Sequence, residues 1–197
     1  MSISTTRPHA SMQQENMMNT QDDQDRMERR IVRTAESKGY RGPFARTILA
    51  MNYMWSFCLS MMAQTAPHPR LRVLLHRMRG VKIGKGVLLT PYVLLDVVYP
   101  KLLTIEDGVA IAPGVKIFCH NKPSGYQVEE GWQREKIEPV TLKAYTTIGA
   151  NAVILPGVTV GPNSVVAPCT VVSRDVPPGS VAVGNPARVM KLQKKES

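Results

Sequence analysis

The chain is poor in several residue types that announce common designs. Its 197 residues include three cysteines, Cys58, Cys119 and Cys169, widely spaced and in no CxxC pair. That pattern excludes a disulfide framework and a cysteine zinc site. Aromatics make up only 6% of the chain while hydrophobic residues make up 43%, so the interior has to be filled by Val, Ile, Leu and Met in aliphatic layers. The stretch TILAMNYMWSFCLSMMA from Thr47 to Ala63 carries no charge for 17 residues but is interrupted by Asn52, Ser56 and Ser60. It stands at the short limit for a membrane span, and a buried or interfacial helix is expected instead. Residues 1 to 30 hold no apolar core of the kind an export signal needs, and a reducing cytoplasm is the expected setting.

Negative charge is also missing where it would matter most. The formal net charge is +10, from 25 Lys and Arg against 15 Asp and Glu, and between Glu36 and Asp96 there is no carboxylate at all. Nine cations, Lys38, Arg41, Arg46, Arg70, Arg72, Arg77, Arg79, Lys82 and Lys85, fill that window. The window has no zinc-finger spacing, no RNP-like aromatic motif and no recognition helix, so nucleic acid is not expected as a partner. An anionic membrane face suits the same charge, at about 1 kcal/mol for each cation held near the lipid. Residues 1–36 read as a flexible polar tail, 37–80 as an apolar and basic helical segment, and 192–197 as a basic tail. Within the helical segment, Leu71, Val73, Leu74, Leu75 and Met78 alternate with arginines after Pro67 and Pro69, which predicts an amphipathic helix stopped by Gly80.

Beyond Gly80 an internal repeat takes over, because aliphatic residues recur at every sixth position. The register runs through Ile148, Ile154, Val160, Val166 and Val172, and four residues later through Ala152, Val158, Ser164, Thr170 and Val176. Earlier blocks keep the step at Ile83, Leu89 and Leu95 and again at Ile105, Ile111 and Ile117, and Leu142 lies one step before Ile148. A six-residue step fits a short strand followed by a tight turn, so three steps close a triangular coil and stacked coils place like residues above one another. Gly84, Gly114, Gly149, Gly157 and Gly161, with Pro113, Pro156 and Pro162, are the expected corners. An antiparallel sandwich would require alternation at period 2 with hairpin signals, and these are weaker than the hexad. The expected fold is an all-β solenoid over residues 81–191 behind an N-terminal helical segment, with an excursion at 118–141 where the register is lost.

The segment IGANAVILPGVTVGPNSVVAPCTVVSRDVPPGSVAVGNPARVMK, residues 148–191, resembles the C-terminal half of hexapeptide-repeat acyltransferases, most of all the branch acting on maltose, galactosides and capsular sugars. The resemblance covers residues 70–191. It implies a left-handed parallel β-helix, a homotrimer with sites between subunits, and transfer of an acetyl group from acetyl-CoA to a hydroxyl of a sugar or glycan. His120, the one histidine after position 76, resembles the catalytic histidine of the family. An imidazole suits the removal of a hydroxyl proton near neutral pH without a covalent intermediate. The resemblance places Ala150, Pro168, Ser173, Arg174, Arg188 and Lys191 along the cofactor groove, the last two and Arg174 beside the phosphates. Two positions depart from the family: Thr147 stands where Trp is common, and Pro168, which lacks an N–H, where Ala or Gly is common.

Acceptor recognition is assigned to Asp96, Tyr92 and Trp132. Asp96 is suited to orient a sugar hydroxyl, or the imidazole across a subunit boundary, and equally to cap a turn; Tyr92 stands near the point where the sugar branch often has Asn; Trp132, with Tyr126, is suited to stack on a sugar ring. No metal is expected. Two other functions stay open. One is a non-catalytic trimeric scaffold that presents the basic segment to a membrane, a peripheral contact. The other is a metalloenzyme like γ-class carbonic anhydrase, which needs three histidines gathered across the trimer, whereas the repeat supplies one per chain.

Overall fold

The computed structural model describes residue 39, residues 41 and 42, and residues 44–191. The expected tails at 1–36 and 192–197 lie outside the described residues. The chain divides into two compact units, one ending at Asn52 and the other starting at Tyr53. In the first, the described residues turn at Gly42, whose carbonyl accepts from Ala45 N–H at 3.1 Å, and enter helix α1, Ala45–Thr65.

In the second unit α1 buries only Ser56, Leu59, Ser60 and Ala63, which the 3.6-residue period gathers on one side. Met54, Trp55, Met61 and Met62 are exposed, so the expected buried helix is buried along one stripe alone. No helix among the described residues is long and apolar enough to cross a membrane. Helix α2, Pro69–Met78, starts with proline at its first turn, and His68 caps it by accepting from Arg70 N–H at 3.2 Å.

Helix α2 is the expected amphipathic helix, but part of its apolar face is turned outward and part of its basic face inward. Leu71, Leu74 and Met78 are exposed, while Arg72 and His76 are buried with Leu75. Carbonyls that lack strand partners explain the inversion. The Arg72 guanidinium donates to Ala66 O at 2.8 Å, to Leu89 O at 2.7 Å and to Pro67 O at 3.1 Å, tying the helix to the start of the repeat. A buried arginine is tolerated when its donors are used in this way.

From Lys82 onward the chain visits three sheets in rotation. The first sheet holds β1 (Lys82–Ile83), β4 (Leu103–Ile105), β9 (Val140–Leu142) and β12 (Thr159–Val160). The second holds β2 (Leu88–Leu89), β5 (Ala110–Ile111), β10 (Thr147–Ile148), β13 (Val165–Val166), β15 (Ser180–Val183) and β16 (Arg188–Lys191). The third holds β3 (Leu94–Leu95), β6 (Lys116–Ile117), β11 (Val153–Ile154) and β14 (Val171–Val172). All neighbours within these sheets are parallel except the closing hairpin of β15 with β16. A small antiparallel pair, β7 (His120–Asn121) with β8 (Lys136–Ile137), stands apart.

The hexad register is the core. Leu89, Ile111, Ile148, Val166 and Ala182 lie in one line through the second sheet, and each is at most 1% exposed. Each aliphatic contributes about 1.5–3 kcal/mol by burial, before the cost of ordering it. The second column is buried too, including Ser164 and Thr170. Their hydroxyls are satisfied by the chain above: Ser164 Oγ donates to Pro177 O at 2.7 Å, and Thr170 Oγ1 accepts from Gly184 N–H at 3.1 Å.

The corners use two devices where the sequence suggested one. Between the first and second sheets, Gly86, Gly108, Tyr145, Asn163 and Gly179 all have positive φ between 56° and 67°. The N–H of each of the last four donates to the coil before it. Gly149 and Gly161 are needed for a different reason. A Cβ on either would lie 2.5 Å from the backbone nitrogen of Pro168 or Pro178, so a side chain there would push the next coil away.

Candidate active site

Two insertions lengthen the hexad, and both open at the same corner. Leu95 to Ile105 takes ten residues instead of six, and Ile117 to Leu142 takes twenty-five. Leu95 and Ile117 are register partners on β3 and β6, so the two departures start side by side. The first carries Asp96 and the second carries His120. The longer one leaves the coil through β7, forms the short helix α3 (Gly125–Glu129) behind a Ser124–Gln127 capping box, and returns through β8. Glu138 N–H donates to Cys119 O at 2.9 Å and closes the neck.

Asp96 accepts four hydrogen bonds. Its Oδ1 takes Val98 N–H at 2.8 Å and Tyr99 N–H at 2.7 Å, and its Oδ2 takes Cys119 N–H at 2.7 Å and His120 Nδ1 at 2.6 Å. The side chain is wholly buried, whereas the imidazole is 21% exposed. Burial pushes the Asp96 carboxyl up, but the bonds from His120, Tyr99 and Cys119 and the charge of His120 together hold it below the ordinary carboxylate range. An ionised carboxylate only accepts, so Nδ1 carries the proton and, in the neutral ring, Nε2 carries the lone pair. Tyr99 meets the imidazole edge-on, with centroids 5.4 Å apart and planes at 61°. Burial, Glu135 and Asp96 raise its phenol above the usual value.

The arrangement can present a proton acceptor at Nε2, and it offers no thiol nucleophile. Cys119 is fully buried in the aliphatic core, and burial with the Asp96 charge pushes its thiol up to about 12.

Other predicted positions are placed as follows. Tyr92 lies at a corner with φ 61°, the residue 65% exposed and its N–H donating to Gln64 O at 2.9 Å. A left-handed corner of this kind also suits Asn. Trp132 is exposed and meets Tyr126 edge-on at 5.6 Å within the excursion. Ala150 and Pro168 occupy the same corner on successive coils, where Ala150 O accepts from Cys169 N–H at 2.9 Å. Ser173 and Arg174 follow β14 and are exposed, as are Arg188 and Lys191 on β16. Asp96 and His120 are thus joined within one chain, which no subunit boundary is needed to explain.

Sequence reasoning missed a buried cluster beneath the pair. Arg79, which caps α2, donates from Nη2 to Asp96 O at 2.6 Å and Leu95 O at 3.2 Å, from Nε to Ser56 Oγ at 3.1 Å, and from Nη1 to His76 Nδ1 at 2.8 Å. Ser56 Oγ donates to Val97 O at 2.8 Å. Burial and the adjacent guanidinium lower the His76 pKa to about 3, so that ring is neutral. Burial lowers Arg79 to about 10, against the pull of Asp96, and it stays charged at neutral pH. The one available signal was that Leu95 closes the first coil, whose carbonyls have no preceding coil to bond and had to find donors outside the ladder.

Residues 139–174 match the family model for the bacterial transferase hexapeptide, six repeats. Those residues carry the hexapeptide repeat that the model describes. It is 36% identical over 97 residues to the galactoside O-acetyltransferase of Escherichia coli, covering 49% of this chain and 47% of that protein. It is 45% identical over 98 residues to nodulation protein L of Rhizobium meliloti, covering 49% and 51%. The chain thus spans about half the length of these curated relatives. A hexapeptide-repeat acetyltransferase of Vibrio cholerae, solved in complex with acetyl coenzyme A, superposes with a TM-score of 0.63 at 25% identity, covering 80% of this chain and 96% of that one. A maltose O-acetyltransferase of Clostridium difficile gives 0.58 at 25% identity, covering 73% and 87%. In fold the chain is therefore similar to these two solved acetyltransferases.

Proposed function

We propose that the protein is an O-acetyltransferase that moves an acetyl group from acetyl-CoA to a hydroxyl of a sugar or glycan acceptor. The observation that carries this reading is the Asp96–His120 pair, 2.6 Å apart at the mouth of the excursion. His120 Nε2 takes the acceptor hydroxyl proton as that oxygen bonds to the thioester carbonyl carbon. The C–S bond then breaks, and the imidazolium returns the proton to the departing CoA thiolate. Asp96 keeps Nδ1 protonated and steadies the imidazolium while it exists. The left-handed sense of the coil and the homotrimer with shared sites belong to the same proposal and rest on the resemblance of residues 148–191; the boundaries at 81–191 and 118–141 rest on the six-residue repeat and its interruption. Trp132 and Tyr92, both exposed, are assigned to the acceptor.

Calorimetric titration with acetyl-CoA tests the donor half without knowledge of the acceptor. Saturable binding at one site per chain is expected, weakened about tenfold or more when Arg188 and Lys191 become Ala, as loss of charge-assisted phosphate contacts implies. No binding by the folded protein favours the scaffold reading instead.

The proposal also places the second unit's exposed apolar stripe, Met54, Trp55, Met61 and Met62 of α1, at an anionic bilayer. Charge complementarity supports this placement, since Arg70, Lys82 and Lys85 are exposed and no carboxylate occurs between Glu36 and Asp96. Pelleting with phosphatidylglycerol-containing vesicles, and its loss when Arg70, Lys82 and Lys85 become Gln, is the expected result. No pelleting of the parent protein rejects the placement. Arg72 and Arg79 are unsuited to this test because both are buried.

A further inference from the structure

We infer that Arg79, assisted by Ser56, is a positioning residue for the Asp96–His120 pair, so that the helical segment before the repeat is part of the catalytic machinery. The inference rests on the proposed role of His120 but is read from different atoms. Leu95 ends the first coil, which bonds the next through its own N–H groups, Thr90 to Ile111 O and Leu94 to Val115 O, so that its carbonyls face the open end with no preceding coil to donate to them. Three consecutive carbonyls are instead held by side chains from the helical segment. Arg79 Nη2 bonds Leu95 O and Asp96 O, and Ser56 Oγ bonds Val97 O. On its other side, Asp96 is held only through its carboxylate, by Val98, Tyr99, Cys119 and His120.

The residue that orients the imidazole is therefore clamped at its own carbonyl by a guanidinium whose three nitrogens are all engaged. Arg79 is itself fixed by Ser56 Oγ through Nε and by neutral His76 through Nη1. A fork of this geometry cannot be reproduced by the single ammonium of lysine. If the clamp is released, the backbone of Asp96 gains freedom, and the short bond to Nδ1 depends on that backbone to within a few tenths of an ångström. Misplacement of about 1 Å at a reacting group costs up to about a hundredfold in rate.

A readout that a merely structural arginine would not move is the Nδ1 proton of His120. In full-length protein labelled with 15N-histidine, a hydrogen bond of this length to a carboxylate gives a far-downfield, slowly exchanging proton, assigned by its loss in Asp96→Asn. Arg79→Gln is expected to abolish or broaden that resonance and to lower kcat for acetyl transfer about tenfold to a hundredfold, with KM for acetyl-CoA unchanged. Ser56→Ala is expected to weaken both less, and Arg79→Lys to restore neither fully. Should Arg79→Gln fail to fold by circular dichroism, Ser56→Ala and Arg79→Lys carry the test. A resonance and kcat unchanged in the folded variants, or no downfield proton in the parent, overturns the inference. If His120→Ala keeps its activity while the resonance still vanishes in Arg79→Gln, the positioning stands and the general-base reading fails.

Discussion

His120→Ala is expected to lower acetyl transfer by about 10²–10⁴-fold, the usual contribution of a positioned general base. The loss should fall on kcat, because the imidazole meets the acceptor hydroxyl while the proposed CoA contacts lie on other residues, Arg174, Arg188 and Lys191. CoA release is followed with a thiol reagent over a panel of methyl glycosides, and acetyl-CoA affinity by calorimetry on the same preparation. Asp96→Asn should also lower kcat, because an amide presents an N–H or a weaker acceptor to Nδ1 and no longer fixes the lone pair on Nε2. Turnover by His120→Ala equal to that of the parent protein would remove the general-base mechanism and leave the scaffold reading in its place.

Acid should unfold this protein through a group that does no chemistry. His76 is 1% exposed, and burial followed by the Arg79 charge holds its pKa at about 3, against about 6.5 in an unfolded chain. Between those values the unfolded state binds the extra proton, so stability declines as pH falls from about 6.5 towards 3, at on the order of 1 kcal/mol per pH unit. Above that window His76 is neutral in both states and contributes no slope. Asp96 acts at the acid end, since its folded pKa is depressed: its stabilisation is present above the unfolded carboxylate value and is lost as pH falls through the folded one. Urea unfolding at several pH values between about 7 and 4 checks the sign. His76→Gln, which keeps an acceptor for Arg79 but cannot protonate, should flatten the slope; the same slope in both proteins would place the acid sensitivity elsewhere.

The repeat was legible because a six-residue period belongs neither to a helix nor to a simple alternating strand, and residues such as Ile148, Ile154 and Val160, each 0% exposed, lie where the period places them. His120 was legible for a related reason, as a histidine inside an interruption of a regular pattern. What could not be read was pairing across distance. The sequence shows Asp96 as the end of a basic window, and only the register of Leu95 with Ile117 brings it against His120. In the helical segment the inward face could not be read, for a physical reason. The alternation of Leu71, Leu74 and Met78 with arginines does not say which side is buried, and the carbonyls of the first coil demand donors more strongly than these side chains demand burial. Arg72, His76 and Arg79 therefore turn inward. The glycines divided similarly, since a sequence does not distinguish a residue chosen for positive φ from one chosen for its missing Cβ.

The neck of the excursion has a consequence for how such a site can be altered. His120 pairs with Ile137, Asn121 with Lys136, and Glu138 N–H bonds Cys119 O. Whatever lies between Asn121 and Lys136 thus hangs from a latch that is complete without it. A segment of another length or composition can be grafted there with the pairs that hold His120 kept. Under the proposed function, the share of acceptor preference carried by Trp132 and the proton transfer carried by His120 then become separately inheritable traits of one scaffold, the first written in a replaceable insert and the second in the latch and the coil beneath it.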